Sequence, residues 1–534
     1  MSPTSSRKVS RRSFLCTAST ATLLGHRLQA KQAEKGTDPA SIAVRRKAAW
    51  RRRPLILDDD GDLVYADESI RGPKEFLKLR MHDAHAASIN SIAWCMMWGI
   101  AKKGKSTVRY WQTQKLGIPF QKNMPDPTPI VADFCRENNI EVFGSIRMND
   151  CHDAFGLPFP KLVYPLKVNQ PEMLFGKASQ RGRPQDGLHA AMWSGLDYSF
   201  EKVRQDRLWW IENTARYGLD GVDLNFFRMP FYFKLGREEE NMPVMTQFIR
   251  DARHRIDAVS RELGRTVLLG LRVPGTIAAC QRIGFDIETW LREGLVDRLL
   301  TGGGYVCYST PAEELVRLGH QFEVPVYPCI NCPANYSIGG DNLRAAASNL
   351  WWAGADGIYL WNFQYIPAPG SLGYGRPAPG QYTQLLPEIA DPQKLKHLNK
   401  SFAVNRRVWE QYGRAGAQAP LPTELGQRAG DGAPPIAVRI GDDIQSALKL
   451  GKLKNLTLRV TTSGAVSGGR LAATLNGSPA KPLPTNEKNK FAFALDGRAA
   501  RQGINELNIS IKQRGTRAKE AIVANAVNID VRYH

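Results

Sequence analysis

Eight times between residues 54 and 363, a short apolar run is followed by a segment of helical spacing or by a loop. The apolar runs fall at 54–57, 88–98, 140–147, 220–228, 266–273, 296–300, 324–331 and 357–363. Helical spacing fills 73–87, 128–138, 200–217, 243–263, 311–321 and 342–353. In 243–263, Val244, Phe248, Ala252, Ile256, Val259 and Leu263 recur on one side and Gly264 stops the pattern, as on an amphipathic helix. For 200–217 the sequence offers Ser199 as N-cap and Gly218 as stop. Alternation of this kind predicts a parallel sheet covered by helices. Eight units fit a closed (β/α)8 TIM barrel better than an open doubly wound sheet. No glycine-rich phosphate fingerprint follows any of the strands, which also argues against a nucleotide fold.

The pattern changes after residue 412. Residues 413–435 are rich in Gly, Ala and Pro and read as a linker. From 436 to 534 come short alternating strands with turns such as Asn476-Gly477, the pattern of a small all-β sandwich. Ahead of the barrel (54–412), residues 31–53 are polar and basic and read as a loose arm. Residues 1–30 hold Ser10-Arg11-Arg12-Ser13-Phe14-Leu15, an apolar run and Leu28-Gln29-Ala30. This resembles a twin-arginine export signal with its cleavage site. It implies passage through the export machinery to the periplasm or the cell exterior.

The 534 residues carry a formal net charge of +21. Losing the leader's five basic residues, with no acid among them, would leave +16. From Gly432 onward, 16 Lys and Arg face 7 Asp and Glu. Such a surplus favours an anionic partner, against the commoner reading of a basic solvated surface. Export and the lack of a recognition motif disfavour nucleic acid. No apolar run is long enough to span a bilayer. Cys329-Ile330-Asn331-Cys332 lacks the second pair or His that zinc needs, leaving a loop disulfide or two free thiols.

In a barrel of this type, chemistry gathers at the C-terminal ends of the strands. The acids there are Asp58, Asp59, Asp60, Asp150 and Asp223. Asp223 and Asn225 share one face of the fourth strand, with Val222 and Leu224 on the other. Two polar groups facing a barrel mouth are costly for a core and useful for a site. Asp223, Asp150 and Asp60 are therefore the expected catalytic carboxylates, since glycoside hydrolysis commonly uses two. Asp59, Trp98, Arg147, Asn149, His152, Asn225, Arg228, Arg272, Tyr305, Asn331, Trp361 and Asn362 are the expected substrate contacts. Aromatic faces with amides and carboxylates suit sugar rings. Three arginines on the third, fourth and fifth strand ends suit a uronic or sulfated sugar; pairing with rim acids would explain them equally well. No cofactor is expected. The acids of Asp58-Asp59-Asp60-Gly61-Asp62 keep a divalent cation open.

Leu219-Asp220-Gly221-Val222-Asp223-Leu224-Asn225-Phe226-Phe227-Arg228 resembles the fourth-strand signature of the glycosyl-hydrolase-like family ten proteins, D-G-[IV]-x-L-D-[FY]-x-R. Val203-Arg204, Asp58 to Asp62 and Ala355-Asp356-Gly357-Ile358 look similar to the same group. The likeness covers residues 51–412 and implies a secreted barrel enzyme acting on glycosidic bonds. Asn225 departs from it, standing where the pattern has Asp. Leu475-Asn476-Gly477 with Gln502-Gly503-Ile504-Asn505-Glu506-Leu507 resembles galactose-binding-like jelly rolls. The expectation is a secreted glycoside hydrolase for a polysaccharide, with an anionic substrate favoured by charge. The alternatives are a polysaccharide lyase, with Tyr305 taking the C5 proton, and a non-catalytic sugar-binding barrel.

Overall fold

The structure, a computed structural model, describes residues 38–59, 72–81, 89–96, 100–103, 106–109, 112–113, 126–154, 162–181, 191–302, 311–331, 340–361, 385–406, 419–426, 434–464, 470–487, 489–513 and 521–534. Eight parallel strands close into a barrel in chain order. They are β1 (Leu55–Asp59), β2 (Ser91–Cys95), β3 (Glu141–Arg147), β4 (Gly221–Asn225), β5 (Leu268–Val273), β6 (Arg298–Thr301), β7 (Val326–Asn331) and β8 (Ile358–Trp361). β8 returns to β1 with Leu55 opposite Ile358. The strands are buried along their whole length, as expected when helices cover one face and the opposite strands the other. The outer layer includes α1 (Ile42–Ala49), α2 (Pro73–Arg80), α3 (Thr128–Glu137), α4 (Glu201–Ala215), α5 (Met242–Leu263), α6 (Ile287–Arg292), α7 (Glu313–Gln321) and α8 (Gly340–Trp352). Among the described residues, no helix is long and apolar enough to cross a membrane.

Two local expectations change. α4 starts at Glu201 with Phe200 at its N-cap and no side-chain cap. Ser199 instead donates its backbone N–H to Asp197, and Arg204 donates to the carbonyls of Tyr198 and Ser199. The described part of the basic arm, from Asp38 to Arg53, is ordered rather than loose. It forms α1, whose Arg45 is paired with Asp297 and donates to the Gly294 carbonyl at 2.9 Å. Arg53 is fully buried and holds Glu141 at 2.6 and 2.9 Å. Two of the arm's arginines, Arg45 and Arg53, are thus buried ion-paired anchors at the N-terminal end of the barrel, while Lys47, Arg51 and Arg52 stay exposed.

The second layer pair is antiparallel. β9 (Lys400–Ala403), β10 (Thr423–Leu425), β12 (Leu453–Ser463), β15 (Lys481–Leu483), β16 (Lys490–Ala494) and β18 (Ile522–Tyr533) form one sheet. β11 (Ile436–Ile440), β13 (Arg470–Leu475), β14 (Ser478–Pro479) and β17 (Gly503–Gln513) form the other. A separate apolar cluster fills the space between them, with Leu458, Val460, Leu471, Ile509 and Ile529 among its members. Asn476 and Gly477 both have positive φ (50° and 81°) between β13 and β14, the backbone a two-residue hairpin loop requires. β9 and β10 pair with β18, so the sheet recruits chain from before residue 412 and from inside the expected linker. Three and four residues amid prolines are too short to read as strands without their partner.

Candidate functional site

Polar side chains stack in levels along the barrel axis, set by period-two alternation and by register. On the inner level, Asp223 and Arg298 are 1% and 0% exposed. The guanidinium grips both carboxylate oxygens, Nε to Oδ1 at 3.0 Å and Nη2 to Oδ2 at 2.5 Å. It also stacks 3.1 Å from the centre of the Phe143 ring. Gly270 lies across from Asp223 on β5. A Cβ there would come within 2.0 Å of Asp223 Oδ1, so only glycine leaves room for the pair. Asp223 is thus the anion of a buried ion pair, which removes the reason for giving it the reacting role.

One level outward, Tyr359 donates to Asp58 at 2.5 Å. Burial, and then the Asp58 charge, push the Tyr359 phenol well above its usual range. Asp58 shares its face with Ile56, which clusters with Tyr359, Cys329 and Trp361 inside the barrel. Asp59, one residue on, therefore takes the opposite face, and its charge acts on the Cys135 thiol of α3. The alternation corrects Asp59 as a lumen contact and puts Asp58 in its place. Cys329 is buried, and burial pushes its thiol up to about 11. Arg272 of β5 reaches its sulfur at 3.8 Å and Asn225 Oδ1 at 3.5 Å.

The rim is built around the turn after β3. Asp150 accepts from Arg147 Nη1 at 2.8 Å, from the His152 backbone N–H at 2.8 Å, and pairs with His152 Nδ1 at 2.6 Å. Arg228, three residues past β4, places Nη2 2.7 Å from His152 Nε2. A guanidinium only donates, so Nε2 is the accepting nitrogen and Nδ1 carries the proton toward Asp150. Burial, reinforced by Arg228 and Arg147 against Asp150, holds the imidazole below its ordinary value. Burial raises Asp150, but His152, Arg147 and Arg228 outweigh it and hold the acid well below the usual carboxylate range. Lys167 supports the turn from behind, donating to the Asp150 carbonyl at 2.6 Å, Asp153 at 3.0 Å and Ser194 at 3.0 Å.

Asn149 is corrected too. Its amide donates to the carbonyls of Leu196 and Phe231 at 3.1 and 2.6 Å and accepts from Leu196 N–H at 2.8 Å. It clasps two loops and has little left for a ligand. Asn331, at the end of β7, is the opposite case. It is fully buried, and among the described residues neither Nδ2 nor Oδ1 has a hydrogen-bond partner. It lies opposite Trp361 in register. The Arg272 and Arg228 guanidinia sit 4.6 and 5.6 Å from the Trp361 ring centre.

Arg147, Asp150, His152 and Arg228 thus come together in direct contact, and Asn225, Arg272 and Trp361 in a second linked set. Asp60, Trp98, Tyr305 and Asn362 lie outside the described residues, as does Cys332. Among the described residues, no group of three His, Cys, Asp or Glu could hold a metal ion. The sequence ranking passed over Arg298, Tyr359 and Lys167. The first two were legible, as polar residues spaced by two from inward neighbours; Lys167 carries no local signal.

No family model matches the chain, and no curated protein matches it. Solved structures resemble it at low identity. An α-galactosidase from Thermus thermophilus is 13% identical, over 69% of this chain and 67% of that one, with TM-score 0.35. The glycoside hydrolase domain of PelA from Pseudomonas aeruginosa is 11% identical, over 61% and 100%, with TM-score 0.33. A family GH18 chitinase from Chromobacterium violaceum is 10% identical, over 89% and 92%, with TM-score 0.34. Likeness of this order carries no activity to the chain, whose chemistry rests on its own residues.

Proposed function

We propose that the chain cleaves glycosidic bonds in a polysaccharide whose sugars carry a carboxylate or sulfate. The observation that carries this reading is the gathering of three buried guanidinia at the C-terminal end of the barrel, Arg228 and Arg272 beside the Trp361 ring and Arg147 on Asp150. Guanidinium forks suit carboxylate and sulfate geometry, and a buried indole suits the C–H face of a sugar. Asn225 and Asn331 supply amides for hydroxyl groups. Among the described residues, Asp58 and Asp150 are carboxylates at this end. Asp150 is held ionised, which suits a charge stabiliser or the orienting partner of a base, not a general acid. The export-type leader fits an enzyme that meets polysaccharide outside the cytoplasm.

The Asp150–His152 dyad favours a second reading. A neutral imidazole whose Nδ1–H is fixed on a carboxylate is a base at Nε2. In a hydrolase it would take a proton from water. In a lyase it would take the proton at C5 of a uronate, as the bond from C4 to the leaving oxygen breaks and the arginines neutralise the carboxylate. A panel of neutral, uronic and sulfated glycans, scored for new reducing ends and for ultraviolet-absorbing unsaturated ends, separates the two. Reducing ends alone support hydrolysis; absorbing ends support elimination. Asp150→Asn should abolish either product. Binding with no product from any glycan would overturn both in favour of a sugar-binding barrel.

A further inference from the structure

The contact between Arg228 and His152 blocks the nitrogen that the dyad prepares. Nδ1 is committed to Asp150 at 2.6 Å, and Nε2 is covered by Arg228 Nη2 at 2.7 Å. A base in this state has its lone pair engaged and a cation beside it. Taking up a proton would place two positive charges in contact within a buried site.

We propose that Arg228 is a latch on His152, opened by the anionic group of a bound sugar. The proposal rests on the anionic-glycan reading above and adds how the substrate's charge would control the reaction. The backbone ahead of Arg228 is anchored: Phe226 N–H donates to the Arg272 carbonyl at 3.0 Å, and Tyr232 donates to the Phe226 carbonyl at 2.5 Å. Phe226 packs edge-on against Tyr232 and Phe285. Motion therefore belongs to the long Arg228 side chain. Its guanidinium and that of Arg272 lie 5.6 and 4.6 Å from the centre of the Trp361 ring. An anion settling there pairs with both and draws Arg228 toward the ring and off Nε2.

Two changes follow at His152. Its Nε2 lone pair is exposed, and the cation that most depressed its basicity moves away. Among the described residues, the charges that remain are Asp150 and Arg147 from the same turn, with Lys167 and Asp153 behind it. Asp150, in direct contact, then dominates and favours proton uptake. A neutral sugar carries no charge to draw Arg228 off Nε2. Arg228 is on this account a specificity-determining residue that discriminates by charge at the step that frees the base.

Carbethoxylation of His152 by diethyl pyrocarbonate, followed by peptide mass spectrometry, reads the latch without turnover. The intact protein is compared with Arg228→Gln and Arg228→Lys at constant ionic strength. The probes are sodium sulfate, sodium glucuronate and glucose. In the unaltered protein, sulfate and glucuronate should raise the His152 rate severalfold and saturably; glucose should not. Arg228→Gln should react fast with no anion dependence, and with the depressing cation gone the midpoint of its rate-against-pH curve should shift upward. Arg228→Lys, which keeps the charge but not the fork, should stay anion-sensitive with a faster basal rate. It also serves if melting shows that Arg228→Gln fails to fold. A His152 rate indifferent to sulfate, or unchanged in both variants, overturns the latch. An active glycan panel with such a result would leave the glycan reading standing, whereas a working latch with an inactive panel would sink that reading alone.

Discussion

Replacing Asp223 by Asn separates a structural from a reacting carboxylate. The change keeps size and one acceptor oxygen but leaves the Arg298 guanidinium, at 0% exposure, without its counter-charge. Removing one partner of a buried pair typically costs about 3–5 kcal/mol, because the other charge stays buried and unpaired. The retained amide oxygen can still accept from Arg298 Nε, and the Phe143 face still covers the cation, so the low end, about 3 kcal/mol, is expected. At roughly 2 °C per kcal/mol for a large domain, the barrel transition should fall by about 6 °C. Calorimetry and circular dichroism measure this, and the sandwich transition serves as internal reference. Asp223→Leu with Arg298→Met, an apolar pair, should recover most of the loss. Should Asp223→Asn melt with the unaltered protein and yet lose all turnover, the ion-pair account is wrong and Asp223 is the reacting acid.

Asn331→Leu should act in the reverse sense. Removing two buried polar atoms that make no hydrogen bond among the described residues should stabilise the fold by about 1 kcal/mol while weakening glycan binding; a melting scan and calorimetric titration check the two together. Stability should also fall on acidification in two stages. His152 is held below its ordinary value, so its contribution is complete above about pH 6.5, where the unfolded imidazole is neutral. That contribution is lost as pH drops from there toward the folded value. Asp150 is held low as well, so its contribution persists above about pH 4 and vanishes below, as pH falls through its folded value. Urea midpoints against pH test both stages, and His152→Gln should abolish the upper one and weaken the lower one, since His152 is foremost among the groups that hold Asp150 down.

The barrel was legible because eight alternations survive any single boundary error: every expected apolar run overlaps an observed barrel strand. The site was legible only in part, because local spacing gives a face and not a partner. Asp223 and Asn225 do share a face, but the Arg298 that engages Asp223 lies 75 residues away. The glycine that makes room for the pair, Gly270, is silent as a motif. Asp58 and Asp59 show the same limit at one-residue scale, since a strand inverts its faces with every step. Parity could have been counted back from Ile56, but a run of four acids drew attention to the end of the run instead. Arginines mislead in both directions. Arg45 and Arg53 looked solvated and are buried anchors, whereas Arg147 and Arg228 were read as equally able to pair with rim acids or bind substrate, and in fact engage one carboxylate–imidazole unit.

Asn225 is the residue that most separates this strand from the signature it resembles, and its neighbours give the departure a physical sense. It lies in register between Arg147 on β3 and Arg272 on β5, and Arg272 donates to it at 3.5 Å. An aspartate at this position would sit between two guanidinia, 2% exposed, and would be permanently ionised. It would cancel one of the three positive charges of the rim. The amide accepts a hydrogen bond without that cancellation, so the field is left for an anionic ligand. Asn225→Asp should therefore keep or raise stability, since a charge-assisted bond is about twice as strong as a neutral one. It should weaken binding of a uronic or sulfated oligosaccharide by tenfold or more, and binding of a neutral one far less. Calorimetric titration of both ligands against both proteins decides the matter. Equal losses for charged and neutral sugars would mean that Asn225 contributes a hydrogen bond to hydroxyl groups and that its neutrality does not matter.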